Sequence, residues 1–367
     1  MIEPFRIELP AGTIEDLHAR LNANRWPLGV TDSGGLPVKE MREIVRYWVE
    51  QFDWPAQEAA INRLPHFMAT CGGLRLHYIH ARSPRPESTP LLLLHGWPGS
   101  FVEMLPIVPM LAESFHVIVP SLPGYGFSEA PALPGMSNSR IATLCAELMT
   151  LLGYDRFVVQ GGDWGAGIAT WLALQCPARV MGIHLNYIPG SYQPFVEDSL
   201  SAEETSFLRQ CAEWLDEEGA YGHLQRTRPL TLGYALSDSP VGLAAWIIEK
   251  FREWADPRSA IPLDAILTNI TIYWATNTIA SSMRLYLESA RTPLRFGRGE
   301  RVGVPCGIAR FPLEAPFPPR AWIERAYDVV HWTQMPRGGH FAALEAPDLL
   351  SQDLKEFVTT LPGGNTP

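Results

Sequence analysis

The spacing of apolar and polar positions differs between successive parts of the chain and predicts which parts are helical. Between residues 37 and 54, apolar residues recur at helical spacing and share one face, which predicts an amphipathic helix. That face carries Val38, Met41, Ile44, Val45, Trp48, Val49 and Phe52. Two short apolar runs follow, HFMAT and LRLHYIH, and the Gly72-Gly73 pair between them predicts a hairpin. The chain therefore begins with a helical segment and then turns into strands.

From Pro90 onward, buried strands alternate with helical stretches. The predicted helices start near Ser100, near residue 139 and near Gly165, and the predicted strands are PLLLLH, FHVIVP, DRFVVQ and MGIHLNYI. Continuously apolar strands between helices indicate a mostly parallel sheet covered on both faces. We therefore predict an α/β core that opens with the hairpin and covers residues 66–189.

This alternation stops between about Gly190 and Glu300. Two segments of that region have helical patterns, SPVGLAAWIIEKFREW and TNITIYWATNTIASSMRLYLESA. Afterwards RVGVPCGIAR and DVVHWTQM return to strands, and PDLLSQDLKEFVTTL predicts a closing helix. Residues 190–300 are thus predicted to be an inserted helical cap, and residues 301–367 to complete the core.

Composition changes this picture mainly by exclusion. The 367 residues are 46% hydrophobic and 19% charged, as in a folded globular protein, and the net charge of −10 argues against nucleic acid as a partner. The five cysteines are far apart without CxxC spacing, so we expect no disulfide framework and no zinc site, and infer a cytoplasmic location. No apolar run approaches the roughly 20 residues of a membrane span, so no membrane anchor is expected.

The segment GGDWGAG places an acid where a strand should turn sharply into a helix. Gly161 and Gly165 flank Asp163, and small residues on both sides of a nucleophile are typical of the nucleophile elbow. The alternative is that Asp163 is an N-cap whose carboxylate binds the first amides of its helix. Residues elsewhere in the chain have to decide between the two.

An aspartate nucleophile indicates a particular chemistry. A carboxylate that attacks saturated carbon forms an ester, which water can cleave, whereas a serine would form an inert ether. Aspartate is ordinarily ionised at neutral pH, so it needs no base for the attack. The pattern predicts displacement at an sp³ carbon followed by hydrolysis of the ester.

The segment LLLLHGWPGS places a candidate oxyanion hole just past a buried strand. We predict the amides of Trp97 and Trp164 as its donors, since backbone amides there can converge on the elbow. The alternative is an ordinary turn between a strand and a helix. We expect His95 to organise the loop through hydrogen bonds rather than to transfer protons, with Gly96 and Pro98 supporting its shape.

His340 follows the last predicted strand and is the candidate general base. The order nucleophile, acid, histidine is the one expected after Asp163. Its role would be to take a proton from the water that attacks the ester. Glu314, just beyond the penultimate strand, is the favoured acid for orienting the imidazole. Its rivals are Glu324, on a predicted helix, and Asp328, at the start of the next strand.

Four motifs together resemble those of the microsomal-type epoxide hydrolases, the group that includes insect juvenile hormone epoxide hydrolases. They are HGWPGS, GGDWGAG, ALSDSPVGLAAWIIEKF and RGGHFAALEAPDLL. The similarity spans nearly the whole chain and implies an α/β-hydrolase fold, with residues 1–65 as an N-terminal helical region that wraps around the core. It also implies an enzyme without cofactor or metal. Microsomal members carry an N-terminal membrane anchor, whereas this chain starts almost directly in the wrapping region, so a soluble enzyme is expected.

The resemblance also implies two cap tyrosines that hold the epoxide oxygen and protonate it as the ring opens. Tyr221 in AYGHLQ and Tyr286 in RLYLES match the family contexts. An alkoxide is a poor leaving group, so a hydrogen-bond donor on the ring oxygen assists opening, and a phenol can supply it. The alternative for either tyrosine is a packing aromatic. We interpret the unmatched tyrosines as structural, namely Tyr187, Tyr192, Tyr234 and Tyr273.

The leading hypothesis is an epoxide hydrolase that converts a small-molecule epoxide and water to a vicinal diol, with a homo-oligomer as a candidate assembly. One alternative is a haloalkane or haloacid dehalogenase, which uses the same carboxylate chemistry and for which Trp164 would suit a halide. Pro98 and the two matched tyrosines favour the epoxide. A second alternative is a non-catalytic protein that binds a small ligand, but the chain has a candidate residue for every catalytic role.

Overall fold

The computed structural model describes residues 2–28, 34–197 and 199–362, and its strands form one sheet. The strands are β1 (Ile2–Phe5), β2 (His66–Cys71), β3 (Leu74–Ala81), β4 (Thr89–Leu94), β5 (Phe115–Pro120), β6 (Phe157–Gly161), β7 (Val180–Leu185), β8 (Val302–Arg310) and β9 (Tyr327–Gln334). The prediction of a hairpin at Gly72-Gly73 is confirmed, because β2 and β3 pair antiparallel on either side of it.

The sheet is mostly parallel, as predicted. Its order is β1-β2-β3-β5-β4-β6-β7-β8-β9, with antiparallel pairs up to β3–β5 and parallel pairs from β5–β4 to β9. Leu91–Leu94 of the central strand β4 are fully buried, as expected for a strand covered on both faces. The carboxyl ends of β4, β6, β8 and β9 consequently meet at one edge of the sheet.

Helices cover the sheet, and six of them lie between β7 and β8 along the chain. The helices are α1 (Thr13–Asn22), α2 (Val38–Glu50), α3 (Trp54–Ile61), α4 (Ile107–Ala112), α5 (Asn138–Leu151), α6 (Asp163–Gln175), α7 (Ala202–Glu217), α8 (Ala220–Thr227), α9 (Pro229–Asp238), α10 (Pro240–Trp254), α11 (Leu263–Thr276), α12 (Ile279–Ser289), α13 (Arg320–Glu324), α14 (Ala342–Glu345) and α15 (Pro347–Thr359). Within the described residues, each helix is too short or too polar to span a lipid bilayer.

Two helical segments differ from their predicted form. The helix expected from Ser100 is a 3₁₀ turn at Phe101–Met104 followed by α4, since Pro106 lacks the N–H that would continue one helix. The stretch from residue 268 to 290 is divided between α11 and α12 at Asn277, whose φ of 51° is left-handed. Asparagine tolerates this conformation better than most residues and ends helices in this way.

The N-terminal segment contains an edge strand that the apolar pattern did not predict. β1 pairs antiparallel with β2, but three of its four residues are exposed, so it has no alternation to detect. The predicted amphipathic helix is confirmed as α2, with Met41, Ile44, Val45 and Trp48 buried. The indole N–H of Trp48 donates to the Thr271 hydroxyl at 3.2 Å, which attaches this segment to α11.

The six helices α7–α12 (residues 202–289) are called the helical insertion below. Two of its side chains bind the loop that follows β4. The amide of Asn269 donates to the carbonyl of Pro98 at 2.8 Å, and the hydroxyl of Tyr273 donates to the carbonyl of Gly99 at 2.8 Å. Both side chains are on α11, so the insertion is hydrogen-bonded to the carboxyl edge of the sheet.

Candidate active site

Asp163 lies at the sharp bend between β6 and α6. Its φ is 45°, a left-handed conformation that costs a non-glycine residue about 1–2 kcal/mol. The N-cap position of α6 is occupied by Gly162, and no side chain caps the helix. Asp163 therefore does not act as the N-cap of its own helix, which was the alternative interpretation of this segment.

The glycines around the bend are required by close backbone approach. A Cβ at Gly161 would overlap the backbone of Gly165, and a Cβ at Gly165 would overlap the carbonyl of Leu94 in β4. A Cβ at Gly96 would overlap the Asp163 carboxylate itself. The small residues at these positions thus allow the bend to press against the loop after β4.

That loop supplies a backbone donor to the carboxylate. The N–H of Trp97 donates to Oδ1 of Asp163 at 2.7 Å. In the described part of the chain, the amide of Trp164 makes no hydrogen bond to the carboxylate, although it belongs to the next residue. Of the two predicted oxyanion donors, the structure brings Trp97 into direct contact with Asp163.

His95 is buried, and both of its ring nitrogens contact backbone groups. Its Nδ1 lies 3.0 Å from the carbonyl of Gly96, and its Nε2 accepts from the N–H of Leu122 at 3.1 Å. Burial lowers its pKa to about 4, so the ring is neutral at neutral pH. A neutral ring with its proton on Nδ1 satisfies both contacts. Pro98 follows in the same loop and gives its carbonyl to Asn269.

His340 lies between two carboxylates. Its Nε2 is 3.6 Å from Oδ2 of Asp163, and its Nδ1 is 2.8 Å from Oε1 of Glu314. The Glu314 side chain is fully buried. Glu324 and Asp328, the rival acids, are exposed. Among the three candidate acids, the structure places Glu314 against the imidazole.

The carboxylates control the charge of the imidazole. Burial alone would lower the pKa of His340, but the charges of Glu314 and Asp163 raise it well above its usual value. Burial also raises the pKa of Glu103, on the turn after the Trp97 loop, to about 8, with His340 acting in the opposite direction and Asp163 in the same direction. Glu103 is therefore mainly neutral at pH 7.

Tyr221 on α8 and Tyr286 on α12 face each other above the bend. Their ring centroids are 6.0 Å apart, at an interplanar angle of 81°. Trp97 stacks on Tyr221 at 5.5 Å, and Trp164 contacts Tyr286 edge-on at 4.6 Å. Burial raises the pKa of both phenols, and the charge of Asp163 is the next largest cause for Tyr221. Both tyrosines therefore remain protonated donors.

Comparison with known proteins gives the family. The family model of the epoxide hydrolase N terminus matches residues 2–104, and that of the alpha/beta hydrolase fold matches residues 89–291. A putative epoxide hydrolase of Stigmatella aurantiaca (strain DW4/3-1) is 43% identical over 378 residues, 98% of this chain and 85% of the relative. Epoxide hydrolase 1 of Sus scrofa is 37% identical over 406 residues, 98% of this chain and 89% of the relative. The chain belongs to the epoxide hydrolases.

A solved structure agrees with this assignment. The juvenile hormone epoxide hydrolase of the silkworm Bombyx mori has a TM-score of 0.87 and 30% identity, over 98% of this chain and 94% of the silkworm chain. The predicted α/β-hydrolase fold and the predicted resemblance are thereby confirmed. The chain is an epoxide hydrolase enzyme, and membership of this family implies an epoxide and water as reactants.

Two aromatic side chains of this epoxide hydrolase contact His340 without having been predicted to do so. The ring of Trp254, at the end of α10, lies 5.1 Å from the imidazole, and that of Tyr187 lies 5.8 Å from it. Tyr187 had been interpreted as structural. Neither residue has a local sequence signal, since both contacts depend on how distant segments pack.

A cavity of about 420 Å³ lies near the tyrosine-bearing helix but outside this constellation. Its lining includes Leu285 and Leu287, the neighbours of Tyr286 in sequence. It also includes Arg284, which lies on the face of α12 opposite to that of Tyr286. It contains none of the catalytic candidates. The convergence of Asp163, His340 and the tyrosines, rather than this cavity, is therefore the candidate active site.

The described ranges contain no cluster of three or more histidine, cysteine or acidic side chains arranged for a metal ion. The five cysteines are free thiols. The polar groups near Asp163 are a backbone amide, which can bind an oxygen atom, and an imidazole and two phenols, which can also transfer protons.

Proposed function

We propose that this epoxide hydrolase forms a covalent ester between Asp163 and the substrate and then hydrolyses it to a vicinal diol. The observation that carries the proposal is the environment of the Asp163 carboxylate. One oxygen accepts the amide of Trp97 at 2.7 Å, and the other faces His340 at 3.6 Å, beyond hydrogen-bond length. The second oxygen is thus available as a nucleophile to attack a carbon of the substrate.

In the first step, a carboxylate oxygen of Asp163 attacks a ring carbon from the side opposite the epoxide oxygen. The C–O bond of the ring breaks, and its electron pair passes to the oxygen. Tyr221 and Tyr286 donate hydrogen bonds to that oxygen, and one of them gives it a proton. The raised pKa values of both phenols support this role, because each tyrosine carries its proton when the substrate arrives.

In the second step, water attacks the carbonyl carbon of the ester. Esterification neutralises Asp163 and removes one of the two negative charges that raise the pKa of His340. The imidazolium then gives its extra proton to the tyrosinate left by the first step, and the neutral imidazole accepts a proton from the attacking water, while Glu314 stabilises the imidazolium that forms again. The amide of Trp97, and with it that of Trp164, binds the oxyanion of the tetrahedral intermediate. When the bond between its carbon and the diol oxygen breaks, the imidazolium gives its proton to that oxygen and the diol leaves, and the acid proton left on Asp163 passes to His340, which restores the carboxylate and the imidazolium.

We further propose the domain organisation that this mechanism uses. Residues 1–65 are the wrapping region, residues 66–189 and 301–367 the hydrolase core, and residues 190–300 the cap. The support is that the nucleophile, acid and base follow strands of the sheet, whereas both tyrosines are on the helical insertion. The free cysteines support a reducing, cytoplasmic setting.

One observation favours the dehalogenase alternative. The indole N–H of Trp164 is buried, and among the described residues it has no hydrogen-bond partner, so it could bind a halide. The paired phenols favour the epoxide, because they are placed to protonate an oxygen that remains in the product. Release of halide from chloro- or bromoalkanes without diol formation from epoxides would favour the alternative. An epoxide that binds and is recovered unchanged would indicate a non-catalytic protein.

The two-step mechanism is tested by a single turnover in ¹⁸O-labelled water with enzyme in excess. The oxygen added to the diol should come from Asp163, so the first diol should be unlabelled and the label should appear in the Asp163 peptide. Mass spectrometry of the diol and of the digested protein measures both. Immediate incorporation of solvent label into the diol would indicate direct attack by water and would contradict the proposal.

A further inference from the structure

The loop that carries His340 has an acceptor for each of its backbone N–H groups. The donors are the consecutive residues 338–341, and the acceptors come from three other residues. Gly338 donates to Oδ2 of Asp256 at 3.0 Å, Gly339 to Oε2 of Glu345 at 2.9 Å, His340 to the carbonyl of Trp254 at 2.9 Å, and Phe341 to Oε1 of Glu345 at 2.8 Å. The position of the imidazole is thus determined through its main chain.

Two of these acceptors belong to the helical insertion, where α10 ends. Trp254 is the last residue of α10, and Asp256 follows two residues later, whereas Glu345 is in α14 next to the loop. Oε2 of Glu345 also accepts the N–H of Asp256 at 2.6 Å. The Glu345 carboxylate therefore bridges the histidine loop and the insertion.

The two carboxylates are buried and held as acceptors. Asp256 is fully buried, and hydrogen bonds from Arg258 hold its pKa far below the usual value. Burial raises the pKa of Glu345, and the three amides it binds act in the opposite direction. A Cβ at Gly339 would lie 2.6 Å from the carbonyl oxygen of Trp254, so the loop and the insertion are in direct backbone contact.

We propose that Glu345 and Asp256 are positioning residues that align His340 for water activation by joining its loop to the helical insertion. The inference rests on the two-step mechanism proposed above. Alkylation of Asp163 does not require the base, whereas hydrolysis of the ester does. A displaced base therefore slows the second step, and seating of the insertion on the core becomes a condition for releasing the product.

Glu345→Gln tests the bridge with little change in shape. Glutamine has one acceptor oxygen where glutamate has two, and its NH₂ group would face N–H donors. At least one of the three amides then loses its partner and the loop shifts. Because a misplacement of about 1 Å can cost on the order of 10²-fold in rate, we expect ester hydrolysis to slow by about that factor with alkylation unchanged.

Arg258→Ala is the milder second variant. The Arg258 side chain is 63% exposed, so its removal leaves no cavity in the core and takes the counter-ion from Asp256. It should slow hydrolysis in the same direction but less. The matched control is Asp348→Asn, which removes a nearby carboxylate that pairs with Arg337 on the surface and is 56% exposed. This control should leave both steps unchanged.

Rapid-quench measurements on the full chain separate the two steps. The substrate is the epoxide that the wild-type enzyme converts fastest in a panel of terminal, styrene-type and long-chain epoxides. Ester is quantified by intact-protein mass spectrometry, and folding by circular dichroism. Accumulation of ester in Glu345→Gln and, to a lesser extent, in Arg258→Ala supports the proposal.

The positioning role of Glu345 and Asp256 is overturned if alkylation and ester hydrolysis slow equally. It is also overturned if both variants hydrolyse the ester at the wild-type rate. If Glu345→Gln does not fold, the partition between steps in Arg258→Ala decides the question. A wild-type enzyme that turns over without any ester overturns the two-step mechanism and this inference with it. Wild-type ester with an unchanged partition in the variants overturns only the role of Glu345 and Asp256.

Discussion

Two clusters of this molecule contain the same chemical groups in opposite proportion. In the active site, the imidazole of His340 lies between the carboxylates of Asp163 and Glu314, at 3.6 and 2.8 Å. Between α15 and the strands β7 and β9, the carboxylate of Asp353 lies between the imidazoles of His184 and His331, at 2.8 and 2.7 Å. Residue types alone therefore do not distinguish a catalytic cluster from a structural one.

The difference is in how completely the acceptors are used. Asp353 is 2% exposed on α15, and each of its oxygens has a short hydrogen bond. Asp163 is 19% exposed, lies on a left-handed bend, and has one oxygen without a short bond. A carboxylate that is accessible, lies at a strained bend and has an oxygen without a short hydrogen bond can react. A buried carboxylate with both oxygens hydrogen-bonded stabilises the fold.

The largest expected effect is the difference in kcat between variants in which the aspartate of one cluster or the other is replaced. Asp163→Asn should lower kcat on the order of 10⁴-fold or more, because no other group can form the ester. Asp353→Asn should leave kcat close to wild type in the folded protein. Diol formation by both variants measures this. If Asp163→Asn retains substantial turnover in a preparation free of deamidation, Asp163 is not the nucleophile.

The role of His340 is tested by the substitution that leaves the nucleophile intact. His340→Gln should still form the ester, but its hydrolysis should slow by about 10²–10⁴-fold, the usual contribution of a general base. Intact-protein mass spectrometry after mixing with epoxide should show a persistent adduct. A variant that forms no adduct would contradict the assignment of His340 to the second step only.

The pH dependence of the wild-type enzyme sharpens the same prediction. Glu314 and Asp163 raise the pKa of His340 in the free enzyme, and only its neutral form accepts a proton from water. Ester decay should therefore accelerate as the pH rises. Since the ester has lost the Asp163 charge, the midpoint should lie below the pH at which NMR detects deprotonation of His340 in the free enzyme. Coincident midpoints would contradict the proposed change of charge.

The smallest expected effect concerns the cluster of Asp353 with His184 and His331, called the sealed cluster below. Asp353→Asn should destabilise the protein by about 1–3 kcal/mol, the cost of leaving buried hydrogen-bonding groups unsatisfied. Urea unfolding measures it, and diol formation in the folded fraction is the control. Loss of turnover without loss of stability would show that the sealed cluster takes part in the chemistry.

The pH dependence of that destabilisation has a definite sign. Burial alone would raise the pKa of Asp353, but hydrogen bonds from His184 and His331 lower it well below the usual value, while Asp353 raises that of His331. The lowered pKa of Asp353 stabilises the folded protein at pH values above the unfolded pKa near ~3.9. The raised pKa of His331 stabilises it at pH values below the unfolded pKa near ~6.5. The variant should differ most from wild type between these values. The difference should shrink as pH falls through the folded pKa of Asp353 or rises through that of His331.

Much of the site was predictable because its residues follow recognisable strands. Asp163, Glu314 and His340 come after β6, β8 and β9, and Trp97 comes after β4. Parallel strands end at the same edge of a sheet, so a correct strand assignment brings these residues together. Tyr221 and Tyr286 were identified from resemblance alone, since helical periodicity does not distinguish a tyrosine that faces a site from one that packs.

Other contacts had no local signal. β1 is an exposed edge strand, and its pairing with β2 depends on a partner more than sixty residues away. The bridge from Glu345 to Asp256 joins α14 to the end of α10, and the sealed cluster joins β7, β9 and α15. Each of these requires the relative placement of elements that are distant in the chain.

The sequence by itself determined the order of the strands from β2 to β9, the small residues that permit the bend at Asp163, and the chemistry available to a carboxylate there. These depend on local sterics and on intrinsic reactivity, which a short segment carries with it. The tertiary structure alone decided which acid meets His340, which carboxylates are saturated, and that the helical insertion holds the histidine loop. Such properties arise from packing, because hydrogen-bond saturation and burial are defined only when distant segments are in contact.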